Sequence, residues 1–246
     1  VVRFAPNLGW RDTPFFAMLQ HALQAAGVPA STLYLHNDAD AAALGEYEFT
    51  EHAAGQALVF VSCDVGVGAG VVLNDHLFTG ARGMAGEIGH SVLEVGGPLC
   101  SCGRRGCAEA LIGPRAMVRG VDASHPAPPV AEIAQRLADR DAETARAVKK
   151  AGSYLGVLLQ NLAAAYDPGR IVLGGSVVDL GEAFLQPALQ TLNDYAGAAN
   201  LPPPTVQVSR FGADAVAIGA AALARYRLTR PLIAVGLDAA SVQEAA

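Results

Sequence analysis

The stretch from Gly86 to Glu109, called the cysteine loop below, constrains this chain more than any other part of the sequence. It reads GEIGHSVLEVGGPLCSCGRRGCAE and holds three of the four cysteines. One imidazole and three thiolates suit a tetrahedral zinc ion, and four protein ligands leave no position for an activated water. The stretch therefore predicts a structural zinc site. Its predicted ligands are His90, Cys100, Cys102 and Cys107.

Disulfide bonds are the alternative use of these cysteines. Cys100 and Cys102 are too close in sequence for an easy bridge, and the composition resembles that of intracellular proteins, whose thiols stay reduced. Cys63 lies apart from the others in an apolar run, so it is predicted to be a small buried side chain. The zinc interpretation is therefore favoured over disulfides.

Two carboxylates flank the predicted metal site. Glu87 precedes His90 by three residues, so one helical turn would bring the two side chains together. Glu109 follows the last cysteine by two residues. A pinned loop would direct Glu87, His90 and Glu109 at one point, where they could hydrogen-bond a polyhydroxylated ligand. Spacing alone leaves a second interpretation open, in which both acids are ordinary surface residues.

A family resemblance bears on this choice. The pattern Glu-Ile-Gly-His followed by Cys-x-Cys-Gly-x-x-Gly-Cys-x-Glu resembles the signature of the ROK family, which comprises bacterial sugar kinases and sugar-responsive repressors. In weaker form the resemblance extends from about residue 1 to about residue 229. It implies that the histidine and the three cysteines hold a structural zinc ion. It also implies that Glu87, His90 and Glu109 contact sugar hydroxyls.

Asn37 and Asp38 stand where a predicted strand passes into an alanine-rich helix. Both residue types are good helix N-caps, and ligands also bind at such positions in open α/β sheets. The surrounding sequence NDADAAALGE is similar to the family segment in which the Asn and Asp bind sugar. In the family's kinases the Asp is the general base, so Asp38 would be catalytic only if this chain is a kinase.

The segment from Asp64 to Gly70, DVGVGAG, alternates glycines between two apolar runs and is typical of a tight hairpin. By resemblance, Gly66 and Gly68 are the remnant of a phosphate-contacting loop. The family's kinases usually carry Thr where this chain has Val65, and Val has no hydroxyl for a phosphate. A carboxylate at position 64 would also repel a phosphate. Both departures argue against nucleotide use.

Predicted strands alternate with predicted helices, which indicates an α/β fold. Short strands are expected at 33–35, 57–63, 71–73, 171–176 and 205–209, and helices at 14–26, 39–49, 130–139, 141–166, 180–196 and 213–225. Thr13 is expected to cap the first helix. The resemblance implies a two-lobed, actin- and hexokinase-like (ribonuclease H-like) ATPase scaffold, truncated at its N-terminus. Residues 1–37 with 215–246 would be the remnant of the first lobe, and residues 38–214 the second lobe.

Bulk properties limit the partners. Apolar residues make up 52% of the 246 residues and the net charge is −6, so the chain is expected to be globular and a poor nucleic-acid binder by itself. No apolar stretch reaches the ~20 residues of a membrane span, and no signal peptide is visible, so a cytoplasmic location and no membrane partner are expected. A homodimer or tetramer is expected by resemblance.

Two functions remain. The favoured one is the sugar-sensing effector domain of a ROK transcriptional regulator, which binds a sugar or amino sugar and contacts DNA only through a helix-turn-helix domain absent from this chain. The segment NLGWRD at residues 7–12 resembles the family's regulators more than its kinases. The alternative is an N-terminally truncated, glucokinase-like sugar kinase that uses ATP and Mg²⁺.

Overall fold

The computed structural model describes residues 1–5, 8–28, 33–51, 55–122 and 124–229. The strands are β1 Val2–Ala5, β2 Trp10–Thr13, β3 Leu58–Cys63, β4 Val67–Leu73, β5 His76–Leu77, β6 Arg170–Gly174 and β7 Thr205–Val208. The helices are α1 Phe15–Ala25, α2 Asp38–Phe49, α3 Ala108–Ile112, α4 Val130–Ala138, α5 Ala142–Tyr166, α6 Glu182–Ala198 and α7 Ala215–Thr229.

The centre of the molecule is a five-stranded mixed sheet with the order β5-β4-β3-β6-β7. Strands β3 and β4 form an antiparallel hairpin, while β3, β6 and β7 run parallel. The carboxyl ends of β3 and β6 therefore lie at the same edge, where α/β sheets commonly bind ligands. A second, two-stranded sheet pairs β1 with β2.

Helices cover both faces of the larger sheet, and strand β3 shows how its sequence fits between them. Because side chains alternate along a strand, Val59, Val61 and Cys63 face one layer, and Leu58 and Phe60 face the other. The first set joins the core that contains α5 and α6, and the second joins the core that contains α2. Burial on both faces explains why β3 is an almost continuous apolar run.

Helices α2 and α7 pack against each other at very short range. A Cβ atom on Gly219 would lie 1.9 Å from the carbonyl oxygen of Ala41, so only glycine permits this approach. The contact fixes α2 against the sheet, and with it the position of the residues at the start of α2.

Most predicted elements are observed, with boundaries shifted by a few residues. Two local predictions are wrong. Residues 33–35, expected as a strand, pair with neither sheet, and a strand needs a hydrogen-bonded neighbour. Thr13 ends β2 and does not cap α1, because the N-cap position is taken by Pro14, whose side chain makes no capping hydrogen bond.

Two predicted features extend past the described ranges. Residue 7 of the NLGWRD segment lies outside the described residues, and so do residues 230–246 of the expected first-lobe remnant. The proposed division into lobes stays a prediction. Within the described ranges, no helix combines the length and apolar character needed to cross a membrane.

Candidate functional site

A cleft of about 440 Å³ opens at the carboxyl end of β3. Its lining includes every residue predicted to contact sugar, together with the glycine hairpin. The polar side chains among the lining residues are Asn37, Asp38, Ser62, Asp64, Glu87, His90 and Glu109. The structure therefore brings residues from four separate parts of the sequence to one cavity.

The start of α2 supplies Asn37 and Asp38. The Asn37 Oδ1 atom accepts hydrogen bonds from the backbone N–H groups of Ala39, at 2.9 Å, and Asp40, at 3.3 Å. Asp38 Oδ1 also accepts from Ala39 N–H, at 2.8 Å. The predicted N-cap is confirmed, and because both residues also line the cleft, capping and ligand contact are compatible.

The first turn of the cysteine loop lies directly on strand β4. Ala69 N–H donates to the carbonyl oxygen of Gly86 at 2.8 Å, and a Cβ on Gly89 would lie only 1.9 Å from the carbonyl oxygen of Val67. This backbone contact carries the 3₁₀ turn Ile88–His90 into the cleft wall. The turn brings Glu87 Oε2 to 3.9 Å from His90 Nε2, as the spacing predicted.

Glu109 reaches the cleft from the first turn of α3, at the far end of the cysteine loop. Its side chain is buried, with 7% of the residue surface exposed. The Oε1 atom accepts a hydrogen bond from Ser101 Oγ at 2.7 Å and lies 3.8 Å from Cys100 Sγ. The hydroxyl of Ser101, which lies between Cys100 and Cys102, therefore holds the Glu109 carboxylate in place. The sequence gave no indication of this contact.

The four predicted metal ligands form one cluster. The ligand atoms of His90, Cys100, Cys102 and Cys107 all lie within 4.8 Å of one another. His90 Nδ1 is 3.7 Å from Cys100 Sγ, and the sulfurs of Cys102 and Cys107 are 3.8 Å apart.

A zinc tetrahedron has S–S edges of about 3.8 Å and S–N edges of about 3.6 Å, from bond lengths of about 2.3 and 2.05 Å. The cluster therefore fits a four-coordinate metal ion. Such an ion would supply a structural cross-link within the loop.

His90 faces two directions. Its Nδ1 atom points at the cysteine cluster, while its Nε2 atom lies toward Glu87 in the cleft. One ring nitrogen can therefore bind a metal while the other donates to a ligand or carboxylate, which is the usual arrangement of metal-bound histidines.

Cys63 takes no part in the cluster. It is fully buried in strand β3, and burial raises the pKa of its thiol to about 12. The prediction of a small apolar core side chain is confirmed.

The glycine hairpin forms a second wall of the cleft, called the hairpin wall below. Asp64 N–H donates to the Gly66 carbonyl at 2.9 Å and closes the turn between β3 and β4, so the predicted hairpin is confirmed. The Asp64 carboxylate points across the sheet edge to Ser176, which follows β6. Its Oδ1 accepts from the N–H and the Oγ of Ser176, both at 2.7 Å, and its Oδ2 accepts from Ser62 Oγ at 3.2 Å.

Asp40 is a further acid that sequence reasoning missed. It lies in α2 with 8% of its surface exposed. Burial raises its pKa to about 7, with further contributions from the negative charges of Asp38 and Glu87. The one available signal was a second acid in an otherwise apolar helix start, and it carried no information about which way the side chain faces.

Comparison with known proteins shows the family to which the chain belongs. The ROK family model matches residues 1–227. The xylose repressor of Bacillus subtilis is 31% identical over 72% of this chain and 44% of the repressor. The N-acetylmannosamine kinase of Haemophilus influenzae is 35% identical over 76% of this chain and 61% of the kinase.

Among solved structures, a ROK family glucokinase from Streptomyces griseus in complex with glucose and AMPPNP is 28% identical and superposes with a TM-score of 0.74. The match covers 91% of this chain and 76% of that one. The chain thus spans 44% of the length of the repressor and 61% of the length of the N-acetylmannosamine kinase. It has the α/β, actin-like ATPase fold of the ROK sugar kinases, and it belongs to the ROK family.

Proposed function

We propose that this chain is the sugar-binding effector domain of a ROK transcriptional regulator, whose DNA-binding domain lies outside the chain. One observation carries the proposal. The cleft gathers all the predicted sugar-contacting side chains, while the Asp64 carboxylate lies in the glycine hairpin that the family resemblance identifies as the phosphate-contacting loop.

A sugar fits the chemistry of the cleft. Carboxylates accept hydrogen bonds from hydroxyls, Asn37 can both accept and donate, and His90 Nε2 can donate when Nδ1 binds a metal. The cleft has the size of an ordinary small-molecule site. The relatives named above include a xylose repressor and a glucokinase solved in complex with glucose and AMPPNP.

The cysteine loop supports the same proposal through its metal site. We infer that the ion is zinc, because three thiolates and one imidazole at tetrahedral spacing match its preference. A bound zinc would fix the loop that carries Glu87, His90 and Glu109. The sugar contacts would then be organised before the ligand arrives, which lowers the entropy cost of binding.

The hairpin wall argues against nucleotide use. A phosphate near Gly66 would meet the Asp64 carboxylate, and the Ser176 and Ser62 donors at this edge already bind that carboxylate. Val65 adds no hydroxyl. Sugar binding without phosphoryl transfer is the behaviour expected of an effector domain, in which the ligand shifts the equilibrium between two conformations.

A truncated sugar kinase is the second candidate. It is favoured by the position of Asp38, whose carboxylate lies at the start of α2 in the cleft, as a general base would. The 35% identity to an N-acetylmannosamine kinase also supports it.

The full-length natural protein distinguishes the two candidates. We expect it to bind a DNA fragment from its own promoter region, to change its DNA affinity when sugar is added, and to form no ADP from ATP in the presence of sugar. A coupled ADP assay and a DNA mobility-shift assay measure these outcomes. Sugar-dependent ADP formation would establish the kinase and reject the regulator.

A further inference from the structure

A cavity of about 260 Å³, called the second cavity below, lies next to the cleft. Its lining comes from within residues 98–101 of the cysteine loop, residues 109–122 in and after α3, and residues 147–154 of α5. Val65 and Glu109 line both this cavity and the cleft, so they form the boundary between the two. A substituent on a ligand in the cleft would enter the second cavity past these two residues.

Backbone contacts hold this boundary in place. The N–H group of Gly113, just after α3, donates to the carbonyl oxygen of Glu109 at 2.9 Å. A Cβ atom on Gly113 would lie 3.4 Å from the carbonyl oxygen of Val65, so the end of α3 lies against the glycine hairpin. The side chain of Val65 is left 44% exposed. The passage between the two cavities therefore presents an apolar surface.

The second cavity is lined mostly by apolar residues, which come from three parts of the chain. Leu99 belongs to the cysteine loop, Val118 to the segment after α3, and Ala147 to α5. Leu99 is 46% exposed at this site. An apolar cavity of about 150 Å³ is large enough for benzene, so the second cavity accommodates a six-membered ring.

The charged groups of the second cavity do not favour a charged ligand. Its described lining holds two bases, Arg115 and Lys150, and two acids, Glu109 and Asp122. Both bases already have partners. Arg115 Nε donates to a backbone carbonyl oxygen at 2.9 Å, and the Lys150 ammonium lies over the ring of Tyr154. An uncharged group therefore fits this lining better than an anion or a cation.

We propose that the second cavity binds the apolar aglycone of a glycoside whose sugar lies in the cleft. This inference rests on the proposed sugar-binding function and adds the class of ligand. Glycosides are the simplest sugar derivatives with such a substituent, because the anomeric carbon is the usual point of attachment. The aglycone would cover the exposed side chains of Val65 and Leu99, and burial of apolar surface favours binding.

Calorimetric titration of the zinc-loaded protein with matched glycosides tests the proposal. The probes are glucose, galactose, mannose and xylose, each as the free sugar and as its methyl and phenyl glycosides in both anomers. A methyl and a phenyl glycoside differ only in the group that would enter the second cavity. In the series that binds, we expect the phenyl glycoside to bind at least about tenfold more tightly, since each buried CH₂ group contributes about fourfold.

The outcomes separate the two levels of inference. If a free sugar binds but its phenyl glycoside binds no more tightly than its methyl glycoside, the aglycone site is wrong and the sugar-binding function stands. The same conclusion follows if a free sugar binds and neither of its glycosides does. If no free sugar and no glycoside binds, the proposed function itself fails, and the aglycone site fails with it.

Filling the second cavity sharpens the test. The measured quantity in each variant is the ratio of phenyl to methyl glycoside affinity, so a change in folding or metal content that affects both ligands cancels. We expect Ala147→Phe, which fills the cavity from α5, to reduce this ratio to about one. Ala145→Phe is the matched control and should keep the ratio, because Ala145 is exposed on the same helix and does not line the cavity.

Ala116→Leu provides a second filling variant from a different wall. Ala116 lies in the turn Pro114–Met117 and lines the second cavity, so the added side chain should also lower the ratio. This variant carries the test if Ala147→Phe does not fold. An unchanged ratio in a folded filling variant would overturn the proposal, and so would an equal loss in Ala145→Phe.

Discussion

The two walls of the cleft are held together in different ways. In the cysteine loop, the side chains that form the wall and the metal cluster come from one short stretch, and Ser101 reaches Glu109 eight positions later. In the hairpin wall, Asp64 accepts hydrogen bonds from Ser176, which lies 112 positions later in the sequence, just after the end of strand β6. The loop therefore depends on local spacing and, in the proposed function, on a bound metal ion, whereas the hairpin depends on the pairing of β3 with β6.

The first prediction breaks the loop wall at the metal. Cys107→Ser removes one of four ligands, and we expect the loss of one zinc ion per chain and a fall in stability on the order of 5 kcal/mol or more, because metal binding contributes directly to folding. Elemental analysis and thermal denaturation measure the two effects. Cys63→Ala is the control: it should keep the metal and cost only about 1 kcal/mol. Full metal content in Cys107→Ser would contradict the ligand set.

The second prediction separates the loop wall from strand β4. Gly89→Ala places a Cβ atom 1.9 Å from the Val67 carbonyl oxygen, so the loop must move away. We expect a loss of roughly 3 kcal/mol in stability together with weakened sugar binding.

Gly197→Ala is the matched control for that substitution. Gly197 lies in α6, and a Cβ there has no neighbour within 4 Å. This change should be neutral or should stabilise by up to about 1 kcal/mol. Equal melting curves for the Gly89→Ala and Gly197→Ala variants would show that the close contact of the loop with β4 is not required.

The contrast between local and long-range contacts also explains which features could be predicted from the sequence. The convergence of the four candidate metal ligands and the contact of Glu87 with His90 follow from spacing within a few turns of chain, and both were predicted. The N-cap role of Asn37 is equally local. The central strands were predictable because burial on both faces leaves a continuous apolar run.

What sequence reasoning missed depends on distant parts of the chain. The bond from Ser176 to Asp64 requires the parallel register of β3 and β6, which no local pattern encodes. The inward direction of Asp40 depends on how α2 lies against β4. Residues 33–35 had the composition of a strand, but among the described residues no strand pairs with them.

The third prediction tests the loop wall without disturbing its packing. Glu109→Gln keeps an oxygen that can accept from Ser101 Oγ and removes the charge that faces the cleft. Because hydrogen bonds to charged groups contribute about 1 kcal/mol more than neutral ones, sugar affinity should fall about fivefold while stability changes little. Calorimetric titration of the variant, with the sugar that the wild-type protein binds, measures the loss of affinity. Glu132→Gln on the exposed surface of α4 should leave affinity unchanged, and an equal loss there would reject a specific role for Glu109.

The last prediction concerns Asp40, the buried acid in α2. Its pKa in the folded protein is about 7, above its usual value near 4, so the folded state binds a proton that the unfolded state releases between these values. Stability contributed by this group is therefore complete below about pH 4 and is lost as pH rises toward 7. Asp40→Asn removes the cost of burying a charge and should stabilise the protein by roughly 1–2 kcal/mol at pH 8, with no gain at pH 4.

Urea denaturation of the wild type and of Asp40→Asn across this pH range measures the Asp40 effect. The comparison must use the difference between the two proteins, because loss of metal at low pH affects both alike and cancels. A difference that stays constant from pH 4 to pH 8 would show that Asp40 does not titrate in the folded state as its burial implies. A difference that grows with pH is the expected result, with burial of the Asp40 carboxyl as its main cause and the negative charges of Asp38 and Glu87 as smaller ones.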